Sequence, residues 1–251
     1  HFLFANCNIC ICFAKITQTR KGPKERMTIK PNHLSQKRLK EIWGQVPPDY
    51  YDKGIKKNLL QRAWHTQKLS QILKILPKNL PAGRQVLKIL DIGCSSAVLT
   101  AEVAKALPKS KVTGLDSYKG AIDFARQKYP HIDFVVADAH KLPFATNTFD
   151  LVICTETLEH VVDPKKALTE MLRVLKSNGR AIISMDSGSL LFRAIWYFWT
   201  KSKGRVWESA HLHEFNAKLL ENLIKKSGFK ITKKNYSHLG MAVTFLALPS
   251  K

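Results

Sequence analysis

Three aspartates follow short apolar segments of the sequence, at the points where each segment would leave a sheet. Asp91 lies just before Gly93, Asp116 lies 25 residues after Asp91, and Asp138 follows a third apolar run. A carboxylate at the position of Asp116 can accept hydrogen bonds from both ribose hydroxyls of an adenosine, and one at Asp138 can accept from an adenine amino group. Each aspartate alone could be a helix N-cap or a turn residue, but three on successive segment ends indicate a nucleotide-like ligand.

The segment after Asp91 consists of small residues. Gly93 permits a tight turn, and Cys94 and Ser95 leave room for a ligand to approach the start of the next helix. In an open sheet of parallel strands, ligands bind outside the carboxyl ends of the strands, so we expect the loops after the first four strands to line one cleft. Besides the residues already named, these loops contain Ser117, Tyr118, Ala139 and Thr155.

Strand and helix patterns alternate along the chain after residue 85. The predicted strands are Val86–Ile92, Lys111–Leu115, Ile132–Ala137, Phe149–Cys154, Arg180–Met185, Phe229–Lys234 and Met241–Leu248. Apolar residues at helical spacing predict helices over Val98–Leu107, Ala121–Lys128 and Asn216–Ser227. This alternation predicts an α/β fold, a Rossmann-like, doubly wound, mostly parallel seven-stranded sheet with helices on both faces.

A further helix carries start and stop signals of its own. Asp163 is a typical N-cap residue, and Pro164 fits the first helical position. An apolar face continues as far as Leu175, and Asn178-Gly179 is a typical helix end. We therefore predict one helix from Pro164 to about Asn178.

Five segments, read in order, carry a resemblance to a known family. They are LDIGCSSA, VTGLD, FVVADAHKLPF, FDLVICTETLEHV and the run from LRVLKSNGRAIIS to GFKI, which together cover roughly residues 86–235. They resemble the ordered motifs of class I S-adenosylmethionine-dependent methyltransferases, in particular the type 11 and ubiquinone/menaquinone-biosynthesis enzymes. The resemblance implies S-adenosyl-L-methionine as the cofactor.

The resemblance also assigns roles to residues of the first two motifs. Asp91 and Gly93 would lie along the methionine part of the cofactor, and Asp116 would hold the ribose. The sequence departs from the family's usual DxGxGxG pattern, because Ser95 and Ala97 stand where the second and third glycines are expected. Both residues are small, so we expect altered affinity rather than lost binding.

The later motifs supply the adenine side and the acceptor side of the site. By the same resemblance, Ser117 or Tyr118 would flank the adenine, and Asp138 with Ala139 would hold its amino edge. Thr155, which follows the fourth predicted strand, would face the methyl acceptor together with its neighbour in the chain.

Methyl transfer needs a general base only when the acceptor must lose a proton, as a phenol or an enolisable carbon must. The candidate catalytic residues are Glu156, His160 and His213, with His65 as a weaker one. For His160, a structural hydrogen bond to backbone is the alternative to catalysis. We expect no metal site, since the Cys7, Cys10 and Cys12 spacing lacks a second ligand pair.

The chain divides into three expected parts and an insertion. Residues 1–26 precede Met27 and are expected to be a disordered leader or upstream read-through, and residues 27–84 form an N-terminal helical cap. Within the cap, an apolar stripe runs from Leu59 and Leu60 to Leu76. Residues 85–251 would be the methyltransferase catalytic domain, with a lid insertion at residues 187–213.

The insertion contains four aromatic residues within the five positions 195–199, beside a basic cluster. Such a segment fits a lid over a small-molecule or lipid-like acceptor near an anionic membrane, although core packing of a lid is an equal alternative. An RNA acceptor is a weaker alternative because the motif of amino-group methylation is absent after the fourth strand. A nicotinamide-dependent oxidoreductase and a non-catalytic relative are further alternatives, and the oligomeric state stays open.

The basic charge lies on the flanks of the sequence. Residues 1–90 carry 18 Lys and Arg against 4 Asp and Glu, and residues 171–251 carry 14 against 4, whereas residues 91–170 carry 9 against 11. Basic flanks attract anionic partners but do not distinguish membrane, nucleic acid or metabolite. The five cysteines form no disulfide framework, which favours a reducing cytoplasmic location, with peripheral membrane contact as an option.

Overall fold

The computed structural model describes residues 41–77, 86–202 and 211–250. It contains one seven-stranded sheet in the order β3-β2-β1-β4-β5-β7-β6. The strands are β1 (Leu87–Ile92), β2 (Ser110–Asp116), β3 (Asp133–Val136), β4 (Phe149–Thr155), β5 (Leu175–Asp186), β6 (Phe229–Ser237) and β7 (Ala242–Pro249). All seven predicted strands are therefore confirmed. The expected leader over residues 1–26 lies outside the described residues, as does part of the expected cap.

The sheet is mixed. Strands β1 to β5 pair in parallel, whereas β7 runs antiparallel to both β5 and β6. The turn between β6 and β7 uses three consecutive left-handed residues, His238, Leu239 and Gly240, and so returns the chain directly alongside its own strand. The five parallel strands end at one edge of the sheet, which is where the predicted site residues lie.

Helices cover both faces of the sheet. They are α1 (Tyr50–Lys57), α2 (Leu59–Ile75), α3 (Val98–Ala106), α4 (Lys119–Lys128), α5 (Pro164–Val174), α6 (Leu190–Ser202) and α7 (Ala217–Lys226), with a 3-10 turn at Leu158–His160. Along β1, Ile89 packs with α2 and α3 on one face, and Leu90 packs with α5 and α7 on the other. Because β1 is buried on both sides, its sequence is almost continuously apolar.

Helix α5 ends earlier than its sequence predicts. Asp163 caps it as expected, accepting a hydrogen bond from the Lys166 N–H at 2.9 Å, but the helix stops at Val174. Leu175 is instead the first residue of β5 and pairs with Phe149 of β4. The prediction that the helix reaches Asn178 is wrong, because sheet pairing outweighs the helical preference of this stretch.

The two N-terminal helices lie over the edge of the sheet where the parallel strands end. Asn58 separates them and caps α2, its side chain accepting from the Leu60 N–H at 3.0 Å. Leu59 and Leu60 are 76% and 83% exposed, so the expected apolar stripe does not begin there. The buried side of α2 starts at Lys68 and continues through Ile72, which is fully buried against the sheet.

Helix α2 is also tied to the β6–β7 turn by a hydrogen bond from His238 Nε2 to the Trp64 carbonyl, at 2.8 Å. The two rings stack with their centroids 4.0 Å apart. Among the described helices, none is long and apolar enough to cross a membrane.

Candidate active site

In the loop after β1, three alternate residues have a left-handed backbone conformation. The φ angles are +77° at Gly93, +46° at Ser95 and +62° at Ala97. These are the three positions at which the family pattern has glycine, which adopts such angles without steric cost. Ser95 and Ala97 therefore keep the glycine conformation while carrying side chains, at a cost of about 1–2 kcal/mol each.

Gly93 is required by packing as well as by its backbone angle. A Cβ atom at this position would lie 2.1 Å from Thr157 Oγ1, which itself donates a hydrogen bond to the Ile92 carbonyl at 3.2 Å. The N–H groups of Gly93 and Cys94 both donate to the Leu115 carbonyl, at 2.7 and 3.0 Å. The loop is thus fixed between the ends of β2 and β4.

Asp116 holds the same loop from the neighbouring strand. Its Oδ2 accepts the Ser95 N–H and its Oδ1 accepts the Tyr118 N–H, both at 2.9 Å. Burial raises the pKa of this carboxyl above its ordinary value, and the backbone N–H groups oppose the shift. Each oxygen has a further lone pair, so the carboxylate can still accept hydrogen bonds from a ligand.

Asp138, which follows β3, is linked to a histidine by hydrogen bonds. Its Oδ1 accepts the His140 N–H at 2.9 Å and lies 2.6 Å from His140 Nδ1. His140 Nε2 in turn accepts the Asp163 N–H at 3.0 Å, so the proton of the neutral ring is on Nδ1. This role of His140 was not predicted from the sequence, although His140 lies in the third quoted motif.

A cavity of about 830 Å³ opens above the ends of β1 to β4. Nine of the ten predicted cofactor residues line it: Gly93, Cys94, Ser95, Asp116, Ser117, Tyr118, Asp138, Ala139 and Thr155. The exception is Asp91, which is 2% exposed and accepts a hydrogen bond from Thr100 Oγ1 at 2.6 Å. Burial raises the pKa of Asp91 to about 7, with the Thr100 hydrogen bond opposing the shift. Asp91 lies behind the loop, where its hydrogen bond with Thr100 links β1 to α3.

A buried ion pair closes the cavity between β4 and α2. Lys68 Nζ contacts Glu156 Oε1, and the lysine side chain is 8% exposed. Glu156 has a left-handed φ of +50°, which turns the chain sharply after β4, and its N–H donates to the Ser184 carbonyl at 2.9 Å. The sequence predicts Glu156 as a site residue, but its partner comes from the N-terminal cap and was not predicted.

Two further carboxyl groups lie near this pair. Glu159 is 1% exposed, and burial, followed by the charges of Glu156 and Asp186, raises its pKa well above the ordinary value. Burial and the charge of Glu156 also raise the pKa of Asp186 to about 7. The wall is therefore acidic in composition although the whole chain is basic.

The three predicted histidines have different environments. His160 lines the cavity, with its ring edge-on to Trp43 at 6.3 Å. His213 lies outside the cavity wall, where its buried Nε2 donates to the Val161 carbonyl at 2.8 Å. Burial, then the charge of Lys68, lowers the pKa of His65 to about 4, so this ring is neutral. The structure thus places His160 with Glu156 and separates His213 from them.

Aromatic side chains form the part of the cavity away from the strand ends. They come from the N-terminal segments and from α6: Trp43, Tyr51, Trp64, Phe192, Trp196 and Trp199. Phe192 stacks on Trp196 at 5.7 Å, and Trp64 lies 6.1 Å from Phe192. The cap and the lid therefore meet over the cavity. The sequence shows that both segments are rich in aromatic residues, but it does not predict that the two segments contact each other.

Comparison with known proteins identifies the family. Residues 90–183 match the family described as a methyltransferase domain. Over 97 residues the chain is 37% identical to a demethylmenaquinone methyltransferase of Renibacterium salmoninarum, covering 39% of this chain and 40% of that protein. Residues 90–183 therefore form a methyltransferase domain of the type 11 family. The nicotinamide-dependent alternative is accordingly dropped, and S-adenosylmethionine is the cofactor.

Longer but more distant similarities cover most of this methyltransferase. The ubiquinone/menaquinone biosynthesis C-methyltransferase UbiE of Campylobacter jejuni is 24% identical over 216 residues, covering 80% of this chain and 88% of that one. An S-adenosylmethionine-dependent methyltransferase from Thermotoga maritima has the same fold, with a TM-score of 0.64, 20% identity, and coverage of 82% of this chain and 99% of the other. In its more similar matches, the chain spans only 24% to 40% of the relatives' length.

The described residues fit this cofactor. The cavity wall offers carboxylates at the ends of β2 and β3, where Asp116 and Asp138 can accept from ribose hydroxyl and adenine amino groups. Between them, the loop at Gly93–Ser95 brings backbone close to the cavity without a bulky side chain. A volume of about 830 Å³ is near the upper end of the roughly 300–1,000 Å³ typical of ligand sites.

The left-handed angle at Ala97 yields a stability prediction. Ala97→Gly should raise the free energy of unfolding by up to about 1 kcal/mol, because relief of about 1–2 kcal/mol of steric cost exceeds the roughly 0.5–1 kcal/mol entropic cost of glycine. The matched control is Ala101→Gly, one turn later inside α3, which should lower the stability by a similar amount. Thermal unfolding monitored by circular dichroism measures both, and a fall in stability for Ala97→Gly would contradict the strain argument.

Proposed function

We propose that this methyltransferase transfers a methyl group from S-adenosylmethionine to a bulky, apolar small molecule or lipid-like acceptor. The observation that carries the proposal is the division of a single cavity into two unlike ends. Polar groups line the end formed by the strand loops, and aromatic rings from the cap and lid line the other. A polar cofactor and an apolar acceptor could therefore lie side by side.

We assign the cofactor contacts to the loops of β1 to β4. Asp116 would hold the ribose, with Ser117 and Tyr118 beside the adenine, and Asp138 with Ala139 would hold the adenine amino edge. The methionine part would follow the backbone of Gly93, Cys94 and Ser95 toward Thr155. Asp91 is proposed as a positioning residue that fixes the loop through Thr100, since its carboxyl lies behind the loop.

The acceptor class is supported by the aromatic wall and by the relatives. The named relatives act in menaquinone and ubiquinone biosynthesis, and a reduced quinone ring with an apolar tail would suit a pocket of stacked aromatic residues. All six rings belong to segments that cover the cavity, so they would also exclude water from it. We therefore propose a ring-bearing, quinol-like acceptor.

When bound, the cofactor supplies an activated methyl group and a neutral thioether leaving group. The protein's task is to align the acceptor for in-line attack, which can contribute roughly 7–11 kcal/mol in ideal cases. Glu156 is held by its contact with Lys68, which orients its carboxylate at the cavity wall. We propose His160 as the residue that would receive a proton from an ionisable acceptor, because its ring lies on the aromatic side of the cavity.

The ribose assignment is tested by Asp116→Ala. We expect this variant to bind S-adenosylhomocysteine more than tenfold more weakly in isothermal titration calorimetry, because a charged acceptor contributes roughly 1.5–3 kcal/mol to such hydrogen bonds. Asp123→Ala is the control, since Asp123 is on the outer side of α4 in ion pairs with Lys119 and Arg126. Parent-like binding by both folded variants would contradict the assignment of Asp116.

The acceptor class is tested by methylation assays with a short-tailed reduced demethylmenaquinone and with an RNA oligonucleotide. We expect methylation of the quinol only. Trp196→Ala should raise the KM for the quinol at least about tenfold, because truncation of a packed aromatic contact costs roughly 2 kcal/mol or more. Phe198→Ala, on the opposite face of α6, should leave the KM unchanged. Methylation of RNA, with no turnover of the quinol, would favour the alternative acceptor.

Peripheral contact with an anionic membrane is a second proposal, supported by α6. The inner side of this helix carries Phe192, Trp196 and Trp199, and its outer side carries a second apolar set. On the outer side, Leu190 is 82% exposed, Leu191 45%, Ile195 51% and Phe198 72%. Arg193 and Lys201 are exposed on the same helix. A helix that is apolar on both sides, with basic residues nearby, suits the interface of an anionic bilayer.

Vesicle co-sedimentation tests the membrane proposal. The parent protein should bind vesicles containing phosphatidylserine, and the double variant Leu191→Asp/Phe198→Asp should lose most of this binding while retaining S-adenosylhomocysteine. Tyr236→Asp is the control, because this exposed aromatic residue lies on β6, away from the lid. Equal vesicle binding by the parent and the α6 double variant would exclude α6 as the membrane-binding surface.

A further inference from the structure

Two short segments far apart in sequence are held together at the acceptor end of the cavity. The Leu212 and His213 N–H groups donate to the Glu159 carbonyl at 2.9 and 3.3 Å, and His213 Nε2 donates to the Val161 carbonyl at 2.8 Å. These three hydrogen bonds fix the chain just before α7 against the 3-10 turn after β4. His211 is consequently held beside His160, with their ring centroids 4.7 Å apart.

A buried carboxyl group completes this arrangement. One ligand atom from each of Glu159, His160 and His211 lies within 4.8 Å of the other two, and His160 Nε2 is 4.0 Å from Glu159 Oε1. Glu159 is 1% exposed, and its Oε2 has no hydrogen-bond partner among the described residues. A buried oxygen without a partner is costly, so a group that satisfies it would stabilise the site.

We propose that Glu159, His160 and His211 bind a divalent transition-metal ion of the zinc type. Two imidazoles and one carboxylate form a donor set that zinc, nickel and iron(II) accept, and three protein ligands leave at least one coordination position open. Two ligands at about 2.1 Å from a tetrahedral ion are roughly 3.4 Å apart. Side-chain rotations that move the ligand atoms by about an ångström would bring them from their present spacing to that distance.

The site opens on the acceptor side of the cavity. All three residues line it, beside Trp43 and Trp196, and the His211 ring stacks on Trp196 at 4.5 Å. Provided that the proposed function holds, an ion here would coordinate an oxygen of the quinol-like acceptor and lower its pKa, and with the ion bound His160 would act as a ligand and not as the proton acceptor. Metal binding itself requires neither cofactor nor acceptor, so it can be measured independently of that function.

Zinc titration of the metal-stripped full chain tests the proposal. We expect about one high-affinity Zn²⁺ per chain, and the variants His160→Gln and His211→Gln should each bind at least about tenfold more weakly. The control His131→Gln alters an exposed histidine near β3 and should bind as the parent does. X-ray absorption of the bound zinc should show nitrogen and oxygen neighbours.

A second control tests whether the N-terminal cysteines bind the zinc. The triple variant Cys7→Ser/Cys10→Ser/Cys12→Ser should retain the zinc, because the proposed ligands are elsewhere. Circular dichroism verifies that each histidine variant is folded, and His211→Asn replaces any variant that is not. Zinc with sulfur neighbours, loss of zinc in the cysteine variant, or parent-like affinity in folded His160 and His211 variants would each overturn the proposal.

Discussion

The buried ion pair between Lys68 and Glu156 joins the two halves of the site. Without this pair, the ammonium group of Lys68 would be unpaired in a poorly solvated wall, at a cost of several kcal/mol. Pairing fixes the N-terminal helices over the ends of the parallel strands. The cavity, its aromatic wall and the position of His160 all depend on that placement.

The fold was largely predictable because its signals are local. Alternating apolar runs predict the seven strands, and the cap at Asp163 predicts the start of α5. The end of α5 was not predictable, since Leu175 has a suitable helical pattern and leaves the helix only because Phe149 of β4 is available for pairing. Likewise, the antiparallel direction of β7 depends on a left-handed turn at His238 and Leu239, residues with no clear preference for that conformation.

The cofactor end of the site was more predictable than the acceptor end for a physical reason. Residues that follow parallel strands converge wherever the sheet forms, so Asp116 and Asp138 could be placed on one cleft from the sequence alone. Lys68 and His211 reach the cavity through tertiary contacts between distant segments, and no spacing rule in the sequence predicts such contacts. His213 is the opposite case. Its residue type made it a candidate catalytic residue, but in the fold its ring donates a hydrogen bond to the backbone.

The strand order places β6 at one edge of the sheet, where no other described strand pairs with the backbone of its outer side. Such an edge is a template for association with the strand of another molecule. Lys230 and Lys233 are exposed along β6, and Lys234 is held there by Glu221 at 2.8 Å. Lysines on an edge strand disfavour strand-to-strand aggregation, because two such edges would repel each other. The lysines of β6 therefore account for part of the excess positive charge of the C-terminal region without an anionic partner.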